Sequence, residues 1–272
     1  MTGLTFHSTV SPEMTAEIEQ ALSGIEATHD VRILFAIESG SRAWGFPSPD
    51  SDYDARFVYA HRRDWYLSLT PGRDVIELPI EDELDINGWD IRKALNLLLK
   101  PNPVLLEWLS SPIRYRWDDD ACAALLDLAQ RVTHGPACLH HYLSLGQRQW
   151  DVYVEGRDQV SLKKYFYILR PAMAIRWMRM HPDRQPPMNL QALMAELDLP
   201  KDKLSELDDL LARKAQTREL GEAARLSSLD AFIQQDFDWA RQAVPGLKAT
   251  SKGLEAEATR LFQSLINWPE TQ

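Results

Sequence analysis

Two aspartates one residue apart, Asp52 and Asp54, are the most chemically suggestive side chains of this chain. They open the run from Ala55 to Ala60, whose β-branched and aromatic residues predict a strand. Because residues i and i+2 of a strand point to the same face, the two carboxylates would lie side by side and repel each other. A hard divalent cation, Mg²⁺ above all, relieves such repulsion through oxygen ligands. The spacing therefore predicts a metal site.

A small turn, Gly40-Ser41, stands ten residues before Asp52. It follows the apolar run from Val31 to Ile37, which is typical of a strand buried on both faces. Gly40 permits a close backbone approach that a Cβ would block, and the amides of such a turn can hold a phosphate. Together the turn and the aspartates indicate metal-bound phosphate chemistry. The alternative is a solvated acidic strand end with no chemistry.

The pattern G-S-x₁₀-D-x-D resembles the signature of nucleotidyltransferases of the DNA polymerase β superfamily. The fuller strings S-G-S-R-A-W-G-F and S-D-Y-D-A-R-F-V-Y resemble a bacterial and phage branch, some members of which are associated with RNA ligases and RNA repair. This resemblance implies that the chain moves a nucleoside monophosphate from a nucleoside triphosphate to a hydroxyl acceptor and releases pyrophosphate. It implies two Mg²⁺ ions, with Mn²⁺ as the alternative, held by three carboxylates. Gly40 and Ser41 would hold the β- and γ-phosphates.

The third carboxylate has two candidates, Asp85 and Asp90. Asp85 has apolar neighbours on both sides, as the family's ligand does. Asp90 directly precedes an amphipathic run that begins at Ile91, so its alternative role is a helix N-cap. We prefer Asp85, which gives Asp52, Asp54 and Asp85 as the catalytic and metal-binding set.

The remaining pattern predicts an α+β protein in which a small mixed sheet is followed by helices. The predicted helices and strands of the first part are a helix at 12–28, strands near 31–37, 53–60, 74–78 and 84–89, and helices at 91–100 and 104–110. After Asp118 the pattern is helical as far as Trp268. We therefore expect a nucleotidyltransferase catalytic domain at 1–117 and a helical substrate- and nucleotide-clamping domain at 118–272.

Basic residues supply the candidate phosphate contacts. The stretch from Lys163 to Arg184 carries six cations and a single anion. The superfamily commonly brings a phosphate-binding lysine from its helical lobe, which implicates Lys163 or Lys164 without deciding between them. The alternative is a solvated helix face.

Two arginines and two aromatic residues flank the acidic cluster. Arg42 and Arg56 could each contact phosphate or offset the repulsion between the carboxylates. Arg42 adjoins the turn and is the better candidate for substrate contact. We expect Trp44 and Phe46 to cap the loop against the sheet.

Composition limits the partners. The 272 residues carry a net charge of −10, which disfavours extended nonspecific nucleic-acid binding because such binding depends on phosphate neutralisation. The acceptor is therefore open between an RNA end, a protein hydroxyl and a small molecule. No apolar run suits a membrane span, no secretion signal is evident, and the two cysteines lack metal-ligand spacing, so we expect a cytoplasmic protein with reduced thiols. The competing hypothesis is a catalytically idle, antitoxin-like module that keeps the fold.

Overall fold

The computed structural model describes residues 5–70, 72–80, 83–100, 102–132, 134–216, 221–244 and 253–268. In chain order the elements are α1 (Pro12–His29), β1 (Val31–Glu38), α2 (Gly40–Ala43), β2 (Tyr53–His61), α3 (Arg63–Tyr66), β3 (Val75–Glu77), β4 (Leu84–Asp90), α4 (Ile91–Leu99), α5 (Pro103–Leu109), β5 (Arg114–Trp117), α6 (Asp119–Arg131), α7 (Gly135–Tyr153), β6 (Gln159–Ser161), α8 (Leu162–Met180), α9 (Leu190–Glu196), α10 (Lys201–Gln216), β7 (Glu222–Ala224), α11 (Ser227–Ala243) and α12 (Glu255–Ile266). The predicted α+β class with a small mixed sheet is confirmed.

The chain forms two compact units that interleave along the sequence. The sheet unit takes its described residues from Ser8–Gly40, Asp52–Thr133 and Thr250–Gln272. The helical unit takes its described residues from Met1–His7, Ser41–Ser51 and His134–Ala249. Because each unit contains separated stretches, no one point in the chain divides them. The predicted boundary between residues 117 and 118 stays a prediction.

The sheet unit is built on five strands in the order β3-β4-β2-β1-β5. Strands β1 and β2 are antiparallel, as are β1 and β5, and β3 and β4. Strands β2 and β4 are parallel, in a register that sets Asp54 opposite Asp85. This parallel pair in the middle of the sheet is what brings two of the three predicted carboxylates together.

One face of the sheet is covered by α1. Its apolar stripe, represented by Ile18 and Leu22, packs with Ala55 and Phe57 of β2 in a single buried cluster. Since side chains alternate across a strand, Asp54 and Arg56 point to the opposite face. The candidate chemistry is therefore on the face that α1 does not cover.

In the helical unit α8 is the central element. It packs against α7, α9 and α11, and its Leu162, Phe166, Leu169 and Met173 are buried. A helix apolar on nearly all sides is expected where neighbours surround it.

Three strands depart from the prediction. Strand β5 follows α5 and pairs with the edge of β1. Strands β6 and β7 form a two-stranded antiparallel sheet, so the prediction that everything between Asp118 and Trp268 is helical was wrong. These strands have three or four residues, too few to set up a recognisable period.

The cysteine prediction agrees with the structure, since Cys122 and Cys138 are both free thiols in buried positions. Among the described residues no helix combines the length and the apolar character that crossing a membrane requires.

Candidate active site

Asp54 and Asp85 share one cation, the guanidinium of Arg56. Arg56 Nη2 donates to Asp54 Oδ1 at 2.9 Å and to Asp85 Oδ2 at 2.7 Å. Arg56 Nη1 donates to the carbonyls of Ala55 and Asp85 at 3.0 and 2.9 Å. Of the two roles considered for Arg56, offsetting the repulsion between carboxylates is the one that these contacts support.

The three predicted carboxylates lie within electrostatic range of one another. Burial raises the pKa of Asp54 above its ordinary value, Arg56 opposes that rise, and the charges of Asp85 and Asp52 add to it. Asp52 is exposed and immediately precedes β2. Asp54 therefore stands at the centre of a concentrated negative charge, which favours the approach of a cation.

The end of β1 fixes the backbone of Asp54. Glu38, fully buried, accepts a hydrogen bond from Asp54 N at 2.8 Å through Oε1. Tyr115 donates its hydroxyl to the other carboxylate oxygen of Glu38. Ser39 N donates to the Asp54 carbonyl at 2.8 Å. Both backbone polar groups of Asp54 are thus held by the residues that lead into the turn.

Gly40 makes room for the Asp54 carboxylate. Its φ of +59° lies in the left-handed region, and a Cβ built on it would stand 1.9 Å from Asp54 Oδ2. Only glycine combines that conformation with so close a neighbour. The spacing between the turn and the aspartates thus has a geometric basis, because Gly40 and Asp54 pack directly on each other.

Carboxylate oxygens suit a hard divalent ion, but two of those in this cluster already accept hydrogen bonds from an arginine. Within the residues that the structure describes, no three His, Cys, Asp or Glu side chains are grouped to hold a metal ion. One oxygen of each carboxylate, Asp54 Oδ1 and Asp85 Oδ2, accepts from Arg56 Nη2. An ion between Asp54 and Asp85 would therefore require Arg56 to move.

Asp90 has the role of a helix N-cap, which was its alternative role in the sequence analysis. Its side chain accepts from Arg92 N at 2.7 Å and caps α4. It also accepts from the Tyr66 hydroxyl at 2.7 Å. Burial raises its pKa above the ordinary value, an effect that these hydrogen bonds oppose. The structure therefore puts Asp85, and not Asp90, beside Asp54.

The segment that follows the turn, Ser41–Ser51, belongs to the helical unit and is bound there through three consecutive carbonyls. The Trp44 carbonyl accepts from Leu190 N at 2.9 Å, and the Gly45 carbonyl accepts from Gln191 Nε2 at 2.6 Å. The Phe46 carbonyl accepts from Lys214 Nζ, which is almost fully buried. Burial, together with the charge of Lys163, lowers the pKa of Lys214 to about 8, while Asp50 opposes the shift.

The aromatic residues of this segment pack on α8. Phe46 stacks on Phe166 with ring centroids 5.3 Å apart, and the guanidinium of Arg170 lies 4.9 Å from the Trp44 ring. These contacts were not expected from the sequence, and the prediction that Trp44 and Phe46 cap the loop against the sheet stays a prediction. Nothing in the local sequence distinguishes the two partners, since a sheet and a helix bury aromatic rings equally well.

Arg42, expected to contact substrate, is buried within the same segment. Its guanidinium donates to the Ser51 carbonyl at 2.5 Å and so closes the segment on itself. Ser41 accepts from Phe46 N through its carbonyl at 3.0 Å. The roles of Gly40, Ser41 and Arg42 in nucleotide binding stay predictions.

Most of the cations predicted around α8 have partners within the helical unit. Lys164 Nζ lies 4.5 Å from the Tyr153 ring centroid. The arginines pair as Arg170 with the Met188 carbonyl, Arg176 and Arg179 with Asp236, and Arg184 with Glu196. Lys163 is half-buried, and its charge acts on Lys214. The assignment of Lys163 or Lys164 to phosphate binding stays a prediction.

A cavity of about 480 Å³ lies on the α1 side of the sheet unit, where Glu17, Gln20, Leu84 and Ile86 are among its lining residues. None of the predicted site residues lines it. It is therefore separate from the carboxylates on the opposite face.

Three residues of this region were missed by sequence reasoning: Glu38, Tyr115 and Lys214. Glu38 directly precedes the Ser-Gly-Ser turn, and an acid at the end of an apolar strand was the available signal. Tyr115 and Lys214 are distant in sequence from their partners and left no comparable signal.

Comparison with known proteins agrees with the motif. The model of the RNA repair pathway DNA polymerase beta family matches residues 14–264. The protein YcgL of Bacillus subtilis (strain 168), described as uncharacterized, is 42% identical over 253 residues, which is 93% of this chain and 96% of YcgL. A crystal structure of a nucleotidyltransferase-like protein from Exiguobacterium sibiricum 255-15 aligns over 83% of this chain and 75% of its own, with a TM-score of 0.31 and 12% identity, values too low to support an argument. The resemblance to polymerase β-like nucleotidyltransferases is confirmed, and the chain belongs to the RNA repair pathway DNA polymerase beta family.

Proposed function

We propose that this protein transfers a nucleoside monophosphate from a nucleoside triphosphate to a hydroxyl acceptor and releases pyrophosphate. The observation that carries the proposal is the register that sets Asp54 opposite Asp85, with Asp54 packed against the Gly40 turn. Asp52, Asp54 and Asp85 are the residues proposed to hold Mg²⁺, or Mn²⁺ in its place. A bound divalent ion would lower the pKa of the acceptor hydroxyl and neutralise phosphate charge.

The chain's own contribution is preorganisation. Asp54 is fixed through its backbone by Glu38 and Ser39, and through its side chain by Arg56. A carboxylate fixed before substrate arrives need not be reoriented during the reaction, which is the usual source of electrostatic rate enhancement. Contacts between the triphosphate and Gly40, Ser41, Arg42 and one of Lys163 and Lys164 belong to the same proposal.

An RNA end is the acceptor that the family's description favours. The net charge of −10 and the pairing of α8 arginines with Asp236 and Glu196 argue against a long electrostatic track. RNA would therefore be recognised over a few nucleotides. A protein hydroxyl and a small molecule are the other acceptors, and the assay below separates the three.

The test is incubation of the full chain with each α-labelled nucleoside triphosphate, Mg²⁺ and in turn an RNA oligonucleotide with a free 3′ hydroxyl, a protein lysate and a metabolite extract. We expect label on the acceptor and release of pyrophosphate. Asp54→Asn should abolish both, while Asp90→Asn, a matched change on β4 at the N-cap of α4, should keep them. Equal transfer by the Asp54→Asn variant and the parent would contradict the proposal.

A second candidate is the catalytically idle module, which binds a partner or a nucleotide without turnover. The observation in its favour is that Arg56 already forms an ion pair with both Asp54 and Asp85. Under this alternative no acceptor becomes labelled with any nucleotide, even though nucleotide or partner binding is measurable by calorimetry.

A further inference from the structure

Lys214 of α10 is buried at a place where a lysine is costly. It is 1% exposed, and its Nζ lies 5.2 and 5.8 Å from the ring centroids of Phe46 and Phe166, which are also buried. Lysine is among the residues least often fully buried, because the ammonium loses its hydration there. The pKa of Lys214, lowered chiefly by this burial, is a second sign of the cost. A methionine would fill much of the same space without a charge to desolvate.

The ammonium is used on the main chain of the segment Ser41–Ser51, which follows the turn. Lys214 Nζ donates to the carbonyl of Phe46, and the N–H of Phe46 donates to the carbonyl of Ser41 at 3.0 Å. Both backbone polar groups of Phe46 are therefore engaged, one by Lys214 and one by Ser41. A shift of Phe46 would be passed directly to Ser41.

Two neighbouring carbonyls of the same segment are held in the same manner. Gln191 Nε2 donates to the Gly45 carbonyl at 2.6 Å, and Leu190 N donates to the Trp44 carbonyl at 2.9 Å. These donors, like Lys214, belong to helices of the helical unit, which also contains the segment. Of the three donors only Lys214 is a cation, and a charge-assisted hydrogen bond is about twice as strong as a neutral one.

We propose that Lys214 is a positioning residue for the nucleotide: by holding Phe46 it keeps Ser41 in the conformation that receives the phosphates of a nucleoside triphosphate. Lys214 acts through the segment and not on the phosphates. Stability and nucleotide binding then make opposite demands on position 214, since an apolar residue would suit the buried site better. The inference rests on the proposed function in one respect, that Ser41 binds phosphate.

The test compares Lys214→Met with the parent chain in two measurements at pH 7. The first is the dissociation constant of ATP, GTP, CTP and UTP in turn, each with Mg²⁺ and without acceptor, by isothermal titration calorimetry on the full chain. The second is the urea midpoint. We expect Lys214→Met to bind triphosphate at least about tenfold more weakly, because small displacements of a positioning group are costly, while its urea midpoint does not fall. A merely structural residue would lose both together.

Two further variants separate the segment from other causes. Gln191→Ala removes the bond to the Gly45 carbonyl without removing a charge, and it should also weaken triphosphate binding. It carries the test as well if Lys214→Met does not fold. Tyr165→Phe removes a buried hydrogen bond to Asp230, between α8 and α11 of the same unit. It should lower the urea midpoint and leave triphosphate binding unchanged.

The failures are distinguishable. If the parent chain binds no triphosphate, the proposed function and the role of Lys214 fall together. If the parent binds and Lys214→Met binds as tightly, only the role of Lys214 is overturned. The same holds if Gln191→Ala keeps full binding while Lys214→Met loses it, because the charge of Lys214 would then act on the phosphates directly. A urea midpoint that falls with binding in Lys214→Met, or weakened binding in Tyr165→Phe, would also overturn the role, since lost stability would then be the cause.

Discussion

Replacement of Gly40 by alanine should disrupt the candidate site through two separable costs. The first is conformational, because a residue with a Cβ at φ +59° loses about 1–2 kcal/mol. The second is steric, because the new Cβ would stand 1.9 Å from Asp54 Oδ2 and force the carboxylate aside. Asp54 cannot move freely, since Arg56 and Glu38 both hold it. Loss of the charged hydrogen bond to Arg56 adds about 1.5–3 kcal/mol.

Two other glycines of the chain separate these costs. Gly156 has φ +68° with no atom within 4 Å of its built Cβ, so Gly156→Ala should cost only the conformational part, about 1–2 kcal/mol. Gly24 lies inside α1, also with nothing within 4 Å, so Gly24→Ala should stabilise the chain by about 0.5–1 kcal/mol. Gly40→Ala should then lower the free energy of unfolding by about 3 kcal/mol or more.

The assay is urea denaturation followed by fluorescence of the tryptophans, with the free energy of unfolding compared across the three variants. The order of stability should be Gly24→Ala above the parent, then Gly156→Ala, then Gly40→Ala. If Gly40→Ala costs no more than Gly156→Ala, the packing of the Asp54 carboxylate against the turn is refuted. Mn²⁺ binding gives an independent reading, since only Gly40→Ala should lose it.

Three further variants test the electrostatics and the supports of the site. The pKa of Lys214 is lowered to about 8 from about 10.5, so the unfolded chain binds more protons than the folded chain between these pH values. The free energy of unfolding should therefore rise from pH 8 to pH 10.5 by about 2–3 kcal/mol relative to the Lys214→Met variant. Parallel pH profiles of the parent and the variant would contradict this. Burial lowers the pKa of His61 to about 4 from 6.5, so stability should fall as pH drops through that window, and His61→Gln should flatten the profile measured by urea midpoints. Glu38→Ala leaves the Asp54 N–H without its acceptor and should cost about 1–3 kcal/mol in denaturation and reduce nucleotide transfer, whereas unchanged transfer would show that Asp54 is positioned without Glu38.

The strands that position the carboxylates were predictable because each is an apolar run that ends in a polar signal. Strands β1, β2 and β4 agree with the expected runs to within a residue or two. The preference for Asp85 over Asp90 used apolar neighbours and a helix-cap position, both local properties. These local signals were sufficient for strands β1, β2 and β4, whereas the metal-binding role of the acidic residues stays a prediction.

What escaped prediction depends on pairings between distant residues. Strand β5 has the alternating sequence Arg-Tyr-Arg-Trp, and only its pairing with β1 reveals it as the strand that brings Tyr115 to Glu38. The hydrogen bond from Lys214 to Phe46 spans 168 positions. The sequence left two roles open for Arg56, and the choice depended on the parallel register of β2 and β4.

The interleaving of the two units has a consequence for how the protein is made in the cell. Helix α12 packs on α4 and β2, and Trp268 donates to the His61 carbonyl at 3.3 Å, so the sheet unit receives its last support from the final part of the described chain. During synthesis, β1, β2 and β4 leave the ribosome long before α12 does. The side of α4 that α12 will cover therefore stays uncovered in the nascent sheet unit while well over a hundred further residues are translated.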